Sequence, residues 1–295
     1  MSGEVCPHAH AVAAETHVAD SDLSEQIKAA TKEPHIRAEN TELMRSYVRG
    51  QVSASQYKLL LCSLYEIYRA LEEEMDKNAS HAAVAPIYFP QELARLESLQ
   101  SDLEHFYGQN WREKIIVPAA TRRYAQRLRE VGESHPEQLV AHAYTRYLGD
   151  LSGGQVLGRI TQKSLGLKGG EGLSFFSFPG VTSPSLFKQL YRSRMNSVQL
   201  TPEQQEGVLQ EAVRAFEFNI EVFNDIQEML SITEPETDLR QRHTKPCSHT
   251  QLLHDNKMVS QTLQMSSPWL SAVPLIRMLL GVCVALAVGM GIYAF

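Results

Sequence analysis

The stretch HAYTRYLGDLSGGQ, residues 142–155, decides how this chain folds, because its glycines lie inside an apolar pattern that predicts one long buried helix. A glycine costs roughly 1 kcal/mol relative to alanine in a helix interior, so Gly149, Gly153 and Gly154 together cost about 3 kcal/mol. Gly149 and Gly153 share one helical face, where the main chain is bare. Bare backbone suits close contact with a flat ligand or with a neighbouring helix, and the glycines alone leave both interpretations open.

The acidic residue in this stretch favours a ligand. Asp150 places a carboxylate beside glycines in the middle of an apolar helix, which is costly unless the group is hydrogen-bonded or in contact with water. Arg146, one turn earlier, can orient that carboxylate through a shared water network. A charged, water-bearing position beside bare backbone meets the requirements of a proton-delivery site.

The letters LSGGQ, residues 151–155, also match the signature of ABC-transporter ATPases. A phosphate site of that kind requires a Walker A loop in the same chain, and the nearest approach, Gly153 followed by Gly158-Arg159-Ile160, lacks the Lys-Ser/Thr pair. The formal net charge of -6 provides no general basic field for a nucleic-acid backbone. Nucleotide hydrolysis and nucleic-acid binding are therefore disfavoured.

Helix signals continue on both sides of this stretch and predict an all-α fold. The residues that start at Asp22 and at Ser53 resemble capping boxes, and Thr201-Pro202 places an N-cap before a proline. Because Pro34 falls inside the first predicted helix, we expect a kink or a helix restart there. We predict eight helices, near residues 22–38, 42–49, 53–77, 91–107, 118–131, 136–165, 184–196 and 202–231.

The composition divides the chain into four parts. Residues 1–21 are predicted to be a disordered N-terminus without a signal peptide, and residues 22–230 to be the helical domain. Residues 231–268 are polar and lack aromatic side chains, which predicts a flexible linker. Residues 269–295 end in eighteen uncharged residues, MLLGVCVALAVGMGIYAF, which span roughly 27 Å as a helix. We interpret this last part as a C-terminal transmembrane tail anchor with a basic cytosolic flank.

Two other groups of polar side chains are candidate ligand contacts. His35 lies beside the apolar stripe of the first helix, and Glu39 can accept a hydrogen bond from its second ring nitrogen. A core histidine without a metal explains the same position, so both interpretations stay open. Lys188 and Arg192 share a helical face and can grip paired carboxylates, unless that face is simply solvated. No Glu-x-x-His or His-Glu-x-x-His motif occurs, which excludes di-iron and zinc sites of those types.

Longer motifs connect these separate features. They are KEPHIRAEN at 32–40, ALEEEM at 70–75, APIYFP at 85–90, LVAHAYTRYLGDLSGGQVL at 139–157, GEGLSFF at 170–176 and FKQLYRSRMNS at 187–197. In these motifs the chain resembles the heme oxygenases of animals, nearer the inducible than the constitutive type. The resemblance covers nearly all of residues 22–230 and extends to the tail anchor. It implies an all-helical fold that holds heme b between a proximal and a distal helix, as both substrate and prosthetic group.

The resemblance assigns roles on the two sides of the heme. It implies that His35 is the neutral axial ligand of the iron, with Glu39 behind it. It implies that the distal helix bends over the porphyrin at Gly149 and Gly153. Asp150 matches the carboxylate that delivers a proton through ordered water.

The remaining roles implied by the resemblance concern the water network, the propionates and the pocket wall. Arg146 and Tyr68 match members of the water network around the distal carboxylate. The other matching residues are Lys28, Tyr144, Lys188 and Arg192 for the two propionates, and Phe216, Asn219 and Phe223 for the wall.

The implied activity is oxygen-dependent cleavage of heme at the α-meso carbon to biliverdin, carbon monoxide and ferrous iron. No Gly-x-Gly-x-x-Gly motif follows a predicted strand, so the electrons must come from a partner, which the resemblance implies is NADPH-cytochrome P450 reductase. Biliverdin reductase is a further candidate partner. The anchor predicts an endoplasmic reticulum membrane location with the catalytic domain facing the cytosol. A membrane-anchored heme sensor or carrier without turnover is the alternative, and a tail-anchored scaffold without cofactor is a third interpretation.

Overall fold

Residues 22–233 are described by the structure, a computed structural model, and over this range they form helices joined by turns and loops, without strands. The all-α prediction is therefore confirmed for this part of the chain. Its α-helices are α1 (Leu23–Ala30), α2 (Lys32–Glu39), α3 (Glu42–Val48), α4 (Ala54–Lys77), α5 (Pro90–Leu93), α6 (Leu96–Tyr107), α7 (Trp111–Lys114), α8 (Ala119–Ser134), α9 (Leu139–Ala143), α10 (Gln155–Leu165), α11 (Pro184–Asn196) and α12 (Pro202–Thr233).

Three sequence assignments fall wholly or mostly on residues that the structure does not describe. The predicted N-terminus (1–21), nearly all of the linker (231–268) and the tail anchor (269–295) lie outside the described range. Within residues 22–233, no helix combines the length and apolar character needed to cross a bilayer. The division of the chain into four parts therefore stays a prediction.

Side-chain caps fix the start of two long helices. Ser53 and Gln56 form a complete capping box on α4, in which the Gln56 N–H donates to Ser53 Oγ (3.2 Å) and the Ser53 N–H donates to Gln56 Oε1 (2.8 Å). Thr201 Oγ1 accepts a hydrogen bond from the Gln204 N–H (3.2 Å) where α12 begins. The capping box predicted at Asp22 is wrong, because the Asp22 side chain makes no cap hydrogen bond to α1.

The first predicted helix, 22–38, is two helices that meet at Thr31. The Thr31 hydroxyl donates to the Ile27 carbonyl (2.7 Å), a local bond that competes with the backbone ladder. Pro34 occupies the first turn of α2, where its missing N–H costs little because that turn has no intrahelical acceptors. The expected restart is thus present, but it precedes Pro34, and it places His35 on the second helix.

The predicted helix 91–107 is also interrupted. α5 ends at Leu93 and α6 begins at Leu96. The Glu72 carboxylate on α4 accepts hydrogen bonds from the N–H groups of Arg95 (2.6 Å) and Leu96 (3.3 Å), so an acid from another helix stabilises the start of α6. The local sequence pattern did not show the break because the group that stabilises it is remote in sequence.

The longest predicted helix, 136–165, departs furthest from α geometry. Between α9 and α10 the backbone forms two π-type stretches, Tyr144–Leu148 and Asp150–Gly154, joined at Gly149. We call residues 144–154 the distal segment. Such wide turns are found mostly as single insertions within helices, often at functional sites. The glycines that weaken the predicted helix therefore lie where the helix is distorted.

α4 lies at the centre of the domain and packs against α6, α8, α9 and α12. Gly132 permits the close approach of α8, since a Cβ there would overlap the Glu74 side chain of α4. α12 runs along α1, α2 and α3 on one side and α8 and α9 on the other. This arrangement leaves a cleft between α2 and the distal segment, with α4 and α12 as its side walls.

Candidate active site

The cleft contains about 1030 Å³ of space free of protein atoms, including solvent at its mouth. The structure brings most of the predicted site residues into its wall, while Tyr68, Lys28, Tyr144, Lys188 and Arg192 lie outside it. The predicted residues in the wall are His35, Glu39, Arg146, Gly149, Asp150, Gly153, Phe216, Asn219 and Phe223.

His35 forms the α2 side of the cleft and is 6% exposed. Its ring packs edge-on against Phe216 of α12, with the ring centroids 5.4 Å apart. Its Nδ1 lies 3.5 Å from Oε1 of Glu39, one turn along α2, so the two groups are neighbours, but that oxygen does not accept the predicted hydrogen bond. Burial raises the pKa of Glu39 to about 7. The imidazole is thus held from two sides.

Asp150 is the acid on the opposite side of the cleft, and it is buried. The Tyr68 hydroxyl of α4 donates a hydrogen bond to Asp150 Oδ2, and Arg146 Nη2 lies 3.9 Å from Oδ1. Burial raises the pKa of Asp150, while Arg146 and Tyr68 offset part of that rise. Asp150 therefore takes up a proton more readily than an exposed aspartate, and its two partners keep it oriented.

Arg146 links the distal segment to α12. Its Nη1 donates to Asn219 Oδ1 (2.7 Å), and Asn219 Nδ2 donates to the Ala215 carbonyl (2.7 Å). The resemblance assigned Asn219 only to the pocket wall, whereas the structure shows that it also holds Arg146. The Nε of Arg146 is buried without a protein hydrogen-bond partner. Buried donors in proteins nearly always bind something, so this atom marks a place for water or ligand.

The glycines in and beside the distal segment have different surroundings. A Cβ on Gly149 would meet no atom within 4 Å, so the bare face lies against open space. A Cβ on Gly158 of α10 would instead lie 2.9 Å from the Phe176 ring. Of the glycines for which the sequence left both interpretations open, Gly149 has space for a ligand, while the tightly packed glycine is Gly158, which was not among them.

None of the side chains predicted to hold the propionates lines the cleft: Tyr144 belongs to the distal segment, and Lys188 and Arg192 lie against it. Lys188 Nζ donates to Ser152 Oγ (2.9 Å). Burial raises the pKa of Tyr144, and the guanidinium of Arg192 offsets part of that rise, so these two groups are near one another. Burial and Arg192 together lower the pKa of Lys188. Lys28 pairs at 3.4 Å with an acidic neighbour on α1.

Two aromatic residues complete the cleft wall, and reasoning from the sequence did not assign them. Phe175 and Phe176 line the cleft, and Phe175 packs edge-on against the Tyr68 ring with centroids 5.7 Å apart. Asp102 of α6 holds their backbone by accepting hydrogen bonds from the N–H groups of Ser174 (2.7 Å) and Phe175 (2.8 Å). The only local signal is the run GEGLSFF, and it does not reveal the remote acid that anchors it.

His142 belongs to a buried cluster that joins α9 to α12. Its Nε2 lies 2.9 Å from Glu211 Oε1, and its Nδ1 lies 3.2 Å from the Tyr124 hydroxyl. Arg127 donates to both oxygens of Glu211, at 3.0 and 2.7 Å. Burial favours the neutral acid, but His142 and Arg127 lower the pKa of Glu211 to about 2. Within residues 22–233 no group of three or more His, Cys, Asp or Glu side chains is placed to hold a metal ion.

The fold is all-helical over the described residues, and its cleft places two candidate reactive groups on opposite sides. One imidazole stands on the α2 side, and a buried acid beside bare backbone stands on the distal side. A single histidine ligand with a separate distal polar group is an arrangement suited to an iron porphyrin that reacts with oxygen.

Comparison with known proteins gives the family. The heme oxygenase family profile matches residues 21–225. A heme oxygenase of Takifugu rubripes is 62% identical over 274 residues, covering 92% of this chain and 94% of its own. Heme oxygenase 1 of Rattus norvegicus is 49% identical over 283 residues, covering 92% and 96%. Heme oxygenase-1 of the cyanobacterium Synechocystis, solved in complex with heme, aligns with a TM-score of 0.68 at 39% identity, over 72% of this chain and 97% of that one.

The chain therefore belongs to the heme oxygenase family, nearer the heme oxygenase 1 type, and is an enzyme that degrades heme.

Proposed function

We propose that this enzyme cleaves heme b at the α-meso carbon with O2 and electrons from a reductase, and releases biliverdin, carbon monoxide and ferrous iron. The observation that carries the proposal is that His35 and Asp150 line one cleft whose distal backbone is bare at Gly149. When bound, heme supplies both the carbon that is oxidised and the iron at which oxygen reacts.

The residues of the cleft fit a heme in size, shape and polarity. The cleft opens to solvent at its mouth, and its wall is mostly apolar, as suits a large, flat and largely apolar ligand. The open space over Gly149 leaves room for a flat ring. The buried Arg146 Nε has no protein partner and so provides a donor for water on the distal side.

On the proximal side we assign the iron ligand to His35. The edge contact with Phe216 and the Glu39 carboxylate 3.5 Å from Nδ1 restrict rotation of the imidazole. A hydrogen bond from Nδ1–H to Glu39 would fix the neutral tautomer in which Nε2 is the ligating atom. The roles of His35 and Glu39 are thus those of a ligand and of the group that orients it.

On the distal side we assign proton delivery to Asp150. The Tyr68 hydroxyl donates to Oδ2, so Oδ1 is the oxygen at which Asp150 can carry a proton toward water. Arg146 lies 3.9 Å from Oδ1 and balances the negative charge once the proton has left. Asn219 keeps Arg146 in place through its 2.7 Å hydrogen bond.

We assign the two propionates to Lys28, Tyr144, Lys188 and Arg192. The hydrogen bond from Lys188 to Ser152 brings one of these cations to the distal segment, and Arg192 lies near Tyr144. Partly buried cations form strong hydrogen bonds with carboxylates, so these residues would fix the rotation of the ring and select the meso edge that meets oxygen.

We further propose that the electrons come from NADPH-cytochrome P450 reductase and that biliverdin reductase is a second partner. No Gly-x-Gly-x-x-Gly motif follows a predicted strand in the sequence. The eighteen uncharged residues 278–295 have the length of a tail anchor. An anchor in the endoplasmic reticulum membrane would hold the enzyme in the same plane as a membrane-bound reductase.

Two measurements on the full chain in detergent or vesicles test the proposal. A hemin titration should give a Soret band that saturates at one heme per chain, and its absence would leave a scaffold without cofactor. Addition of reductase and NADPH should then release carbon monoxide and biliverdin. A stable heme complex without either product would instead indicate a sensor or carrier. Such a protein would not need a buried acid beside bare backbone, which is why Asp150 favours the enzyme.

A further inference from the structure

Arg95 is a buried cation at the start of α6, where it is 3% exposed. Its Nε donates to the Leu93 carbonyl (3.0 Å), and its Nη1 donates to the carbonyls of Phe175 (3.2 Å) and Ser177. The guanidinium also stacks on the Phe178 ring, 3.7 Å from the ring centroid. These carbonyl groups are neutral acceptors, so they orient the guanidinium without cancelling its charge.

The partners of Arg95 belong to one stretch of the cleft wall, residues 174–178, which we call the wall segment. Asp102 accepts hydrogen bonds from the N–H groups of Ser174 (2.7 Å) and Phe175 (2.8 Å) in the same segment. Asp102 and Arg95 are seven positions apart, so they lie on one side of α6, two turns from each other. α6 therefore holds the wall segment with two opposite charges, the anion on N–H groups and the cation on carbonyls.

The wall segment borders the phenol that binds the distal acid. Phe175 lines the cleft, and its ring packs edge-on against the Tyr68 ring with the centroids 5.7 Å apart. The Tyr68 hydroxyl donates to Asp150. The position of the Phe175 ring thus bears on the orientation of the phenol, and Arg95 fixes the carbonyl of the same residue.

α4 completes this arrangement. Glu72, one turn along α4 from Tyr68, accepts a hydrogen bond from the Arg95 N–H (2.6 Å). The connection therefore begins at Glu72, passes through Arg95 and the wall segment, and returns to α4 at Tyr68. Functional side chains are held accurately when packing and hydrogen bonds from surrounding residues lock them, and a closed path of contacts does this for the phenol.

The charge of Arg95 acts on the same acid. Burial raises the pKa of Asp150, and Arg95 offsets part of that rise together with Arg146 and Tyr68. Arg146 belongs to the distal segment, like the acid itself, whereas Arg95 comes from a different part of the chain.

We propose that Arg95 is a positioning residue for heme cleavage, which fixes the wall segment against Tyr68 and thereby keeps the Tyr68 hydroxyl on Asp150. The inference rests on the proposed role of Asp150 in proton delivery. Arg95 does not line the cleft, so it acts through other residues. A guanidinium fits this role because its planar fork donates in several directions while its face stacks on a ring, which an ammonium group does not do.

Arg95→Met tests the role, and Arg112→Met is its matched control. Arg112 is an exposed arginine of α7 that also stacks on a ring, 4.2 Å from the centroid of Trp111. Arg95→Met should bind hemin with wild-type affinity and form biliverdin about tenfold more slowly, because small displacements of a reacting group lower the rate strongly. In the heme-free protein, carbon-13 NMR should show a higher pKa for the Asp150 carboxyl. Arg112→Met should leave both measurements unchanged.

A double variant shows whether Arg95 acts through Tyr68. Arg95→Met in a Tyr68→Phe protein should slow biliverdin formation much less than it does in the wild type, because the hydroxyl that it positions is already missing. Arg95→Lys keeps the charge and loses the planar fork, so it should regain only part of the rate.

Several outcomes would overturn the positioning role. A folded Arg95→Met protein with a wild-type rate and an unchanged Asp150 pKa would do so, even with a lower melting temperature, since the arginine would then only stabilise the fold. A full rate in Arg95→Lys would leave the charge as the whole effect. Equal slowing by Arg95→Met with and without the Tyr68 hydroxyl would show that the two residues act independently.

Phe175→Leu decides the question if Arg95→Met does not fold. It removes the aromatic contact with Tyr68 and leaves the arginine in place, and it should also slow biliverdin formation and raise the Asp150 pKa. A wild-type rate and pKa in Phe175→Leu would overturn the role. Normal biliverdin yield from Asp150→Ala would overturn proton delivery and this role with it, whereas slow turnover by Asp150→Ala beside a wild-type rate for Arg95→Met overturns the role of Arg95 alone.

Discussion

The hydroxyl of Tyr68 donates a hydrogen bond to the carboxylate of Asp150, although the two residues are 82 positions apart in the chain. α4 supplies the phenol and the distorted distal segment supplies the acid. Because both side chains are buried, the contact ties the acid to the central helix of the domain. Proton chemistry and fold stability are therefore coupled at this point.

Removing the acid should separate heme binding from turnover. We expect Asp150→Ala to bind hemin with a normal Soret band and to form biliverdin at least about 100-fold more slowly, as general acid catalysis contributes factors of that order. Asp225→Asn is the control, because Asp225 accepts a hydrogen bond from the Ala120 N–H (2.7 Å) where α8 begins, and it does not line the cleft. Normal biliverdin yield from Asp150→Ala would refute its role.

Tyr68→Phe deletes the hydroxyl and keeps the ring. Since the hydrogen bond from Tyr68 lowers the pKa of Asp150, we expect that pKa to rise further in the variant. Carbon-13 NMR titration of the Asp150 carboxyl in the heme-free protein measures the change. Tyr65→Phe, whose ring packs on Trp111, should leave the titration unaltered. An unchanged or lower pKa in Tyr68→Phe would show that the phenol does not stabilise the charged acid.

Because of Asp150, the free energy of unfolding should fall as the pH rises. Its folded-state pKa is raised above the ordinary value of 3.8, so its stabilising contribution is present below that value and is lost as the pH rises through the folded-state pKa. Asp150→Asn is neutral throughout, and its stability relative to wild type should increase as the pH rises from about 4 through the folded-state pKa of Asp150. Denaturant unfolding of the heme-free proteins measures this difference, and a difference independent of pH would contradict the prediction.

His35→Ala should remove the iron ligand while the cleft stays intact. We expect the six-coordinate ferric spectrum of the hemin complex to be lost and to return on addition of imidazole. His135→Ala is the comparison, because that side chain is 61% exposed and is not part of the cleft wall. If His35→Ala kept the wild-type spectrum, the ligand would be another residue.

Two glycine substitutions should affect different properties, hemin affinity for Gly149→Ala and thermal stability for Gly158→Ala. Gly149→Ala meets no atom within 4 Å, and alanine favours a helix by roughly 1 kcal/mol, so folding should be unimpaired while hemin affinity falls. Gly158→Ala would put a Cβ 2.9 Å from the Phe176 ring and should lower the melting temperature. Melting curves and hemin titrations of both variants check this. Loss of stability only in Gly149→Ala would show that its bare face is a packing surface.

Local sequence signals were sufficient to predict much of the fold. The capping box at Ser53 and Gln56 formed as predicted, because its two hydrogen bonds join residues three apart. The break before α6 was not predictable in this way, since Glu72 of α4 stabilises it. The hydrogen bond from the Phe175 N–H to Asp102 was also not predictable, because Asp102 lies on another helix, far away in the chain. A local sequence pattern indicates the conformational preference of the backbone. It does not show which side chain from a distant part of the chain will pack or hydrogen-bond there.

The sequence by itself determined that the protein is helical and that an acid and bare backbone coincide near Asp150, because glycine cost and an isolated charge in an apolar helix are local properties. Only the tertiary structure decided what surrounds that acid. Burial raises its pKa, Tyr68 and Arg146 offset the rise, and Asn219 holds Arg146. Arg146 lies one turn away on the same segment, whereas Tyr68 and Asn219 come from α4 and α12, and packing alone brings those two helices to the acid.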